Sequence, residues 1–149
     1  MLYFFMKNFK IDESFGYYFN TIFVNTKRLM EKELKAYNLT HLQFSILINI
    51  YKNDVATQKE LLKYTYGDET SLTRLIDRLE VKEYLKRVPC TKDKRKKQLE
   101  LTPEGKELAE KIISCAIEVN KTLTNDLDKK EADELLRLLQ KVYKSSEID

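Results

Sequence analysis

The sequence predicts a mainly α fold with a small β-hairpin wing: a winged helix-turn-helix domain plus N- and C-terminal dimerisation helices. Three observations carry that expectation. Three glycines and two prolines in 149 residues are far too few for the turns of an all-β barrel or sandwich. Apolar residues recur at three- and four-residue steps along most of the chain, which is the spacing of one helix face. That period breaks once, over 85–101, where two short runs alternate loosely around a charged tip.

Each element follows in order. Over 14–37, Phe15, Tyr18, Phe19, Ile22, Phe23, Met30 and Leu34 mark one face of a long helix. Thr40 stands three residues before Gln43, a capping-box spacing in which each side chain satisfies the other's free backbone N–H. It opens a segment over 42–51 that is apolar around most of its girth, the expected central buried helix. Thr57 and Glu60 repeat the capping-box spacing and begin a short helix over 58–63. Gly67 and Asp68 supply a turn and an N-cap. After them Leu72, Leu75, Ile76 and Leu79 fall at i, i+3, i+4 and i+7 and predict an amphipathic helix over about 69–83. Segments 85–88 and 97–101 read as antiparallel strands joined by a long basic loop. Thr102-Pro103 reads as an N-cap with proline at the first helical position. Leu108, Ile112, Ala116, Val119 and Leu123 carry that helix on. Asp128 and Glu131 form a third capping box before a last stripe of Ala132, Leu135, Leu139 and Val142.

Two helices joined by a tight turn and followed by a hairpin make a winged lobe, expected over 38–101 of one domain spanning 1–149. Segments 1–37 and 102–149 then lie outside the lobe with apolar stripes that need cover. Equivalent arms from a second copy would cover them, which argues for a homodimer. Hydrophobic residues at 42% against a net charge of +3 exclude a disordered chain. Two cysteines, Cys90 and Cys115, exclude a disulfide scaffold and point to a reducing compartment. No apolar run approaches the ~18 residues of a membrane span. The opening stretch, Met1 to Met6, is too short for a signal-peptide core. The expected location is the cytoplasm, with no membrane partner. Leu2, Tyr3, Phe4 and Phe5 read in two ways: packing on the last helix of a second copy, or lying upstream of a start at Met6.

Enzyme chemistry finds little support. His41 is the only histidine, which excludes histidine-rich metal sites and most base–nucleophile pairs. Cys90 and Cys115 have no second ligand at zinc spacing, and no glycine-rich phosphate loop is present. No cofactor and no metal are expected.

The charge is unevenly placed. Between Lys82 and Lys97 stand eight basic residues and two acids, so this segment carries +6 and the rest of the chain −3. A basic tip on a mildly acidic body suits a polyanion. On the helix over 69–83, burying Leu72, Leu75, Ile76 and Leu79 turns Thr70, Arg74 and Asp77 to the opposite side, with Ser71, Thr73 and Arg78 on its flanks. Hydroxyls near a helix N-terminus suit phosphate or base contacts, and an arginine such as Arg74 can fork onto a guanine edge. The alternative for Arg74 and Arg78 is pairing with Asp77 or Glu80 on the surface. Thr57 and Gln58, at the start of the preceding helix, are candidates for backbone-phosphate contact.

Gln58-Lys59-Glu60-Leu61, Thr73-Arg74-Leu75-Ile76-Asp77-Arg78-Leu79-Glu80, Asp93-Lys94-Arg95 and Leu101-Thr102-Pro103-Glu104-Gly105 resemble the MarR family of bacterial transcriptional regulators. The resemblance covers nearly the whole chain in order and spacing. Glu83 departs from it, standing where the family commonly has glycine before the first wing strand.

The resemblance implies a homodimeric regulator, expected to be a repressor, binding double-stranded DNA at a pseudo-palindromic operator. The helix over 69–83 would lie in the major groove and the wing over 91–97 in the minor groove. Arg95 is the implied minor-groove residue. Asp93 is expected to accept hydrogen bonds from the Arg95 side chain and hold its pose. Lys92, Lys94, Lys96 and Lys97 would add phosphate contacts. The resemblance also implies a small aromatic or phenolic effector between the dimerisation helices and the winged lobe, with Phe15, Phe19, Tyr37, His41 and Phe44 as walls. The first helix has no cysteine, so the family's peroxide-sensing scheme does not carry over. Cys90 reads either as an inert strand residue or as an oxidisable thiolate beside the basic run. Two rival functions stay open: a winged-helix protein–protein adaptor and a low-specificity architectural DNA binder.

Overall fold

The structure, a computed structural model, describes residues 9–54 and 56–147. The expectations for Leu2, Tyr3, Phe4, Phe5 and Met6 lie outside these residues. Six α-helices and one hairpin follow in order among the described residues. They are α1 (Phe15–Leu34), α2 (His41–Asn53), α3 (Gln58–Leu61), α4 (Glu69–Val81), β1 (Leu85–Pro89), β2 (Lys97–Leu101), α5 (Pro103–Leu123) and α6 (Lys129–Ser146).

Local chemistry sets most boundaries. All three capping boxes form, at Thr40–Gln43, Thr57–Glu60 and Asp128–Glu131. Asp68 caps α4 through Ser71 N at 2.6 Å. Several helix ends differ from the sequence expectation, α2 included, which spans His41–Asn53 rather than 42–51. α1 ends at Leu34 and tightens into a 3₁₀ turn over Lys35–Tyr37, because Asn38 takes the left-handed conformation at φ 52°. Asparagine tolerates that region better than most residues. α3 stops at Leu61, short of residue 63, and passes into a turn. α4 ends at Val81 rather than at 83, because Glu83 adopts φ 60°. There Tyr84 N bonds Leu79 O at 3.0 Å and Glu83 N bonds Glu80 O at 2.9 Å. This is a Schellman stop: Glu83 makes the left-handed turn for which glycine is the cheaper residue. α6 runs to Ser146, four residues past the last expected stripe position at Val142.

The core is continuous. Met30 and Leu34 from α1, Ile46 and Leu47 from α2, and Leu72, Ile76 and Leu79 from α4 are buried together. Leu85, Leu99 and Leu101 of the hairpin and Leu108, Ile112 and Val119 of α5 complete it. Each such aliphatic side chain contributes roughly 1.5–3 kcal/mol on burial. The core therefore crosses the boundaries expected near 37/38 and 101/102: the C-terminal part of α1 and most of α5 build the winged lobe itself. Leu75, expected to be buried, is only half-buried. Much of the exposed apolar surface lies on the start of α1, the end of α5 and α6, with Tyr64, Tyr66 and Val81 exposed elsewhere. Phe15, Phe19 and Ile22 are exposed, and so are Leu135, Leu139 and Val142 on a helix with no buried residue.

The antiparallel register pairs Leu85 with Leu101, Arg87 with Leu99 and Pro89 with Lys97. Alternation puts Leu85 and Arg87 on one face of β1. A backbone bond from Leu99 N to Ala56 O at 2.6 Å ties the second strand to the segment before α3.

Candidate nucleic-acid interface

The α3–turn–α4 unit is held by side chains that sequence reading placed on DNA. Gln58 Nε2 donates to Thr73 Oγ1 at 2.6 Å, and that hydroxyl in turn donates to Glu69 O at 2.8 Å. The Thr57 hydroxyl donates to Glu60 Oε2 at 2.8 Å and accepts from Glu60 N at 3.2 Å. The bonds that the Glu60 carboxylate accepts, from the Thr57 hydroxyl and then from the backbone N–H groups of Thr57 and Ala56, hold it below the usual carboxylate range. Of the residues expected at DNA, Gln58 and Thr73 thus join the two helices to each other, and Thr57 caps α3.

Thr70, Ser71, Arg74 and Arg78 remain exposed on α4. Among the described residues neither arginine makes an ion pair, because Asp77 and Glu80 are taken by a different cation. Arg87, inward-facing on β1, reaches Asp77 Oδ1 at 2.6 Å through Nη2 and Glu80 Oε2 through Nη1, and its backbone N donates to Glu80 Oε1 at 3.1 Å. Burial works against the guanidinium charge here, yet the hydrogen bonds to Asp77 and Glu80 win and raise its pKa above the ordinary value. Arg87 was counted in the sequence only as one of eight basic residues. The signal that distinguishes it is its period-2 spacing from buried Leu85, which puts a cation on an inward strand position that demands counter-charge.

The basic run divides once Arg87 is removed from it. Lys86 faces Glu100 across the hairpin at 3.7 Å, and Lys82 Nζ donates to Asn38 O at 3.1 Å. Lys92, Lys94, Arg95, Lys96 and Lys97 stay exposed, without ion pairs among the described residues. Lys97 is the first residue of β2, and the tip itself is a compact turn. Lys96 N bonds Asp93 O at 2.9 Å, and Cys90 N bonds Lys96 O at 2.8 Å. Asp93 Oδ1 accepts from the Arg95 backbone N at 3.0 Å. That corrects the expectation for Asp93: its carboxylate folds the backbone as an Asx turn and leaves the Arg95 guanidinium free to project. Cys90 sits half-buried just past the end of β1.

The five aromatic wall residues do not assemble as expected. Phe15 is 81% exposed and Phe19 also faces outward, while Tyr37 and Phe44 pack against the core. His41 instead stacks on Tyr66, with ring centroids 6.0 Å apart, and meets Phe23 edge-on. A helix placed at the protein surface leaves its outer aromatics uncovered unless another chain meets them. The largest cavity described, about 620 Å³, lies elsewhere, between the end of α1 and the C-terminal half of α4, and is lined by Lys35, Leu39, Gln43, Arg78 and Val81 among others.

Comparison with known proteins converges on one family. The MarR family model matches residues 39–97, from just before α2 to the first residue of β2. The multiple antibiotic resistance protein MarR of Salmonella typhimurium is 34% identical over 122 residues, covering 80% of this chain and 85% of that protein. The HTH-type transcriptional repressor NicR of Pseudomonas putida is 26% identical over 139 residues, or 93% of this chain and 88% of that protein. A cysteine-to-serine mutant of E. coli MarR, solved in complex with operator DNA, superposes with a TM-score of 0.73 at 30% identity, covering 85% of this chain and 91% of that one. Sequence, fold and the placement of the exposed basic elements agree: the chain belongs to the MarR family.

Proposed function

We propose that this chain is a transcriptional regulator, a repressor, that binds double-stranded DNA as a homodimer at a pseudo-palindromic operator. α4 enters the major groove with Thr70, Ser71, Arg74 and Arg78, and the wing turn enters the minor groove with Arg95, flanked by Lys92, Lys94 and Lys96. One observation carries the reading. On both sides of the Arg87 clamp, at α4 and at the wing tip, the remaining cations Arg74, Arg78, Lys92, Lys94, Arg95 and Lys96 are exposed and make no ion pair among the described residues. Two unneutralised cationic elements on one rigid lobe suit two adjacent grooves of a duplex. The named relatives support it: one is called a repressor and another was solved on operator DNA.

The dimer reading rests on the uncovered stripes of α1 and α6, which serve as the arms of the domain expected over 1–37 and 102–149. Two copies related by a twofold axis would set their α4 helices about one turn of DNA, ~10 bp, or a multiple of it, apart. No helix among the described residues is long and apolar enough to cross a membrane, and the proposed place of action is the cytoplasm. The family consists of regulators and is not enzymatic. A small aromatic or phenolic effector would act by shifting the population of dimers toward a spacing of the α4 helices that no longer fits the operator. Its seat would form only where the outward aromatics Phe15 and Phe19 meet a second copy.

Selection from a random duplex library, followed by competition against random DNA at near-physiological salt, tests this function. The expected result is a palindromic consensus and a specificity ratio of at least about 10³. Failure to bind any duplex would favour the adaptor, and a ratio near unity the architectural binder. Sedimentation of the free protein as a monomer would remove the twofold arrangement.

A further inference from the structure

Arg87 is the one cation of the basic segment that is turned away from solvent, with its side chain 19% exposed. Its guanidinium is shared between two carboxylates one helical turn apart on α4, Asp77 and Glu80, and its own backbone N–H closes a third bond to Glu80. The two acids belong to the same helix as Arg74 and Arg78, while Arg87 belongs to the strand that leads into the wing turn. Three hydrogen bonds from one residue therefore join the two elements that the proposed function places in neighbouring grooves. Between α4 and β1 the remaining ties are apolar packing, through Leu79 and Leu85, and the turn at Glu83, while hydrogen bonds from Leu99 N to Ala56 O and from Thr102 to Glu83 and Tyr84 hold the second strand and the base of the hairpin to other elements. Apolar packing is non-directional, so it holds the hairpin against the helix without setting its angle. A planar fork held at two nitrogens does set an angle.

We propose that Arg87 is a positioning residue for DNA recognition: it fixes the wing turn relative to α4 so that Arg95 and the α4 side chains reach one duplex together, without itself touching DNA. This rests on the DNA-binding reading above. Lysine at position 87 would keep the charge but, as a single ammonium on a flexible stem, would not hold both carboxylates in a plane. The hairpin would then swing, and Arg95 would contribute to binding only part of the time.

The experiment is a double-mutant cycle between Arg87→Lys and Arg95→Ala, read as affinity for the duplex selected with the wild-type protein. In the wild-type background Arg95→Ala is expected to weaken binding at least about tenfold. In the Arg87→Lys background the same change is expected to cost less than about twofold. Equal costs of Arg95→Ala in both backgrounds would overturn the proposal.

Asp77→Asn supplies a second arm should Arg87→Lys fold poorly. It removes a negative charge near the duplex, so simple electrostatics calls for tighter binding, while loss of half the clamp calls for weaker binding. Tighter binding by Asp77→Asn would count against the clamp. A wild-type protein that binds no duplex at all would end the DNA-binding reading instead, which keeps the two failures distinct.

Discussion

Gly105 lies directly beneath the carbonyl of Tyr84: a β-carbon at position 105 would stand 1.8 Å from that oxygen. The same carbonyl accepts a hydrogen bond from Thr102 N at 3.1 Å, and the Thr102 hydroxyl donates to Glu83 O at 2.6 Å while capping Gly105 N at 3.0 Å. The Leu-Thr-x-x-Gly stretch is thus a closure device. It fastens the start of α5 to the residue that begins the wing, and the close approach leaves no room for a side chain.

Gly105→Ala is accordingly expected to destabilise the protein by more than about 2 kcal/mol, toward the upper end of overpacking effects, because a backbone atom rather than a flexible side chain must move. Urea unfolding monitored by circular dichroism checks this. An unchanged midpoint would mean that α5 slides away at no cost.

Glu83→Gly should act in the opposite direction. Glu83 holds φ 60° at the end of α4, a region that costs a side-chain-bearing residue roughly 1–2 kcal/mol. Glycine removes that cost and adds part of it back through the entropy of the unfolded chain. The net expectation is a gain of about 0.5–1 kcal/mol, measured by the same unfolding curves, with duplex affinity unaltered.

Arg95→Ala should reduce affinity for a selected duplex by about 1–3 kcal/mol, the size of one good groove contact, with no change in thermal stability. Asp93→Ala should reduce it as well, but through the backbone: without the Asx bond to Arg95 N the turn loosens. Amide exchange at Arg95 in the free protein distinguishes the two variants, rising in Asp93→Ala alone.

Stability should fall on mild acidification because of His41. Its Nδ1 is buried without a hydrogen-bond partner, and burial pushes its pKa down; Glu31 opposes that shift and Lys27 adds to it. The folded protein then takes up a proton less readily than the unfolded chain, so stability declines as the pH falls below about 6.5 and levels off below the folded-state value. His41→Phe, which keeps an aromatic ring against Tyr66 and Phe23, should lose less stability between about pH 7.5 and 5.5. The imidazole signals of the only histidine in the chain report the titration directly, and an apparent pKa above 6.5 would contradict the sign.

Legibility followed the range of the interaction concerned. Capping boxes at Thr40, Thr57 and Asp128 were readable because both partners lie within three residues of each other. Most of the α4 core stripe was readable because periodicity alone assigns a face, whereas the pairing of the two strands came only from the structure. The bond between Gln58 and Thr73 was not readable, because each meets the other across 15 residues, which no local pattern records. The predicted aromatic seat is not assembled within one chain, for a related reason. Phe15 and Phe19 share a helix face with core residues, but that helix runs past the body of the chain at its N-terminal end.

The order of residues by itself determined the helices, the hairpin, the family and the location of the cationic segment, since all of these depend on neighbours in sequence and on composition. Only the tertiary structure decided which charges are free. Asp77 and Glu80 had a choice between Arg74 and Arg78 on their own helix and Arg87 on the strand, and the packing of Leu79 against Leu85 brings the third within reach. Opposite charges pair according to distance after folding, and distance across an interior is set by how the apolar faces meet, not by separation along the chain.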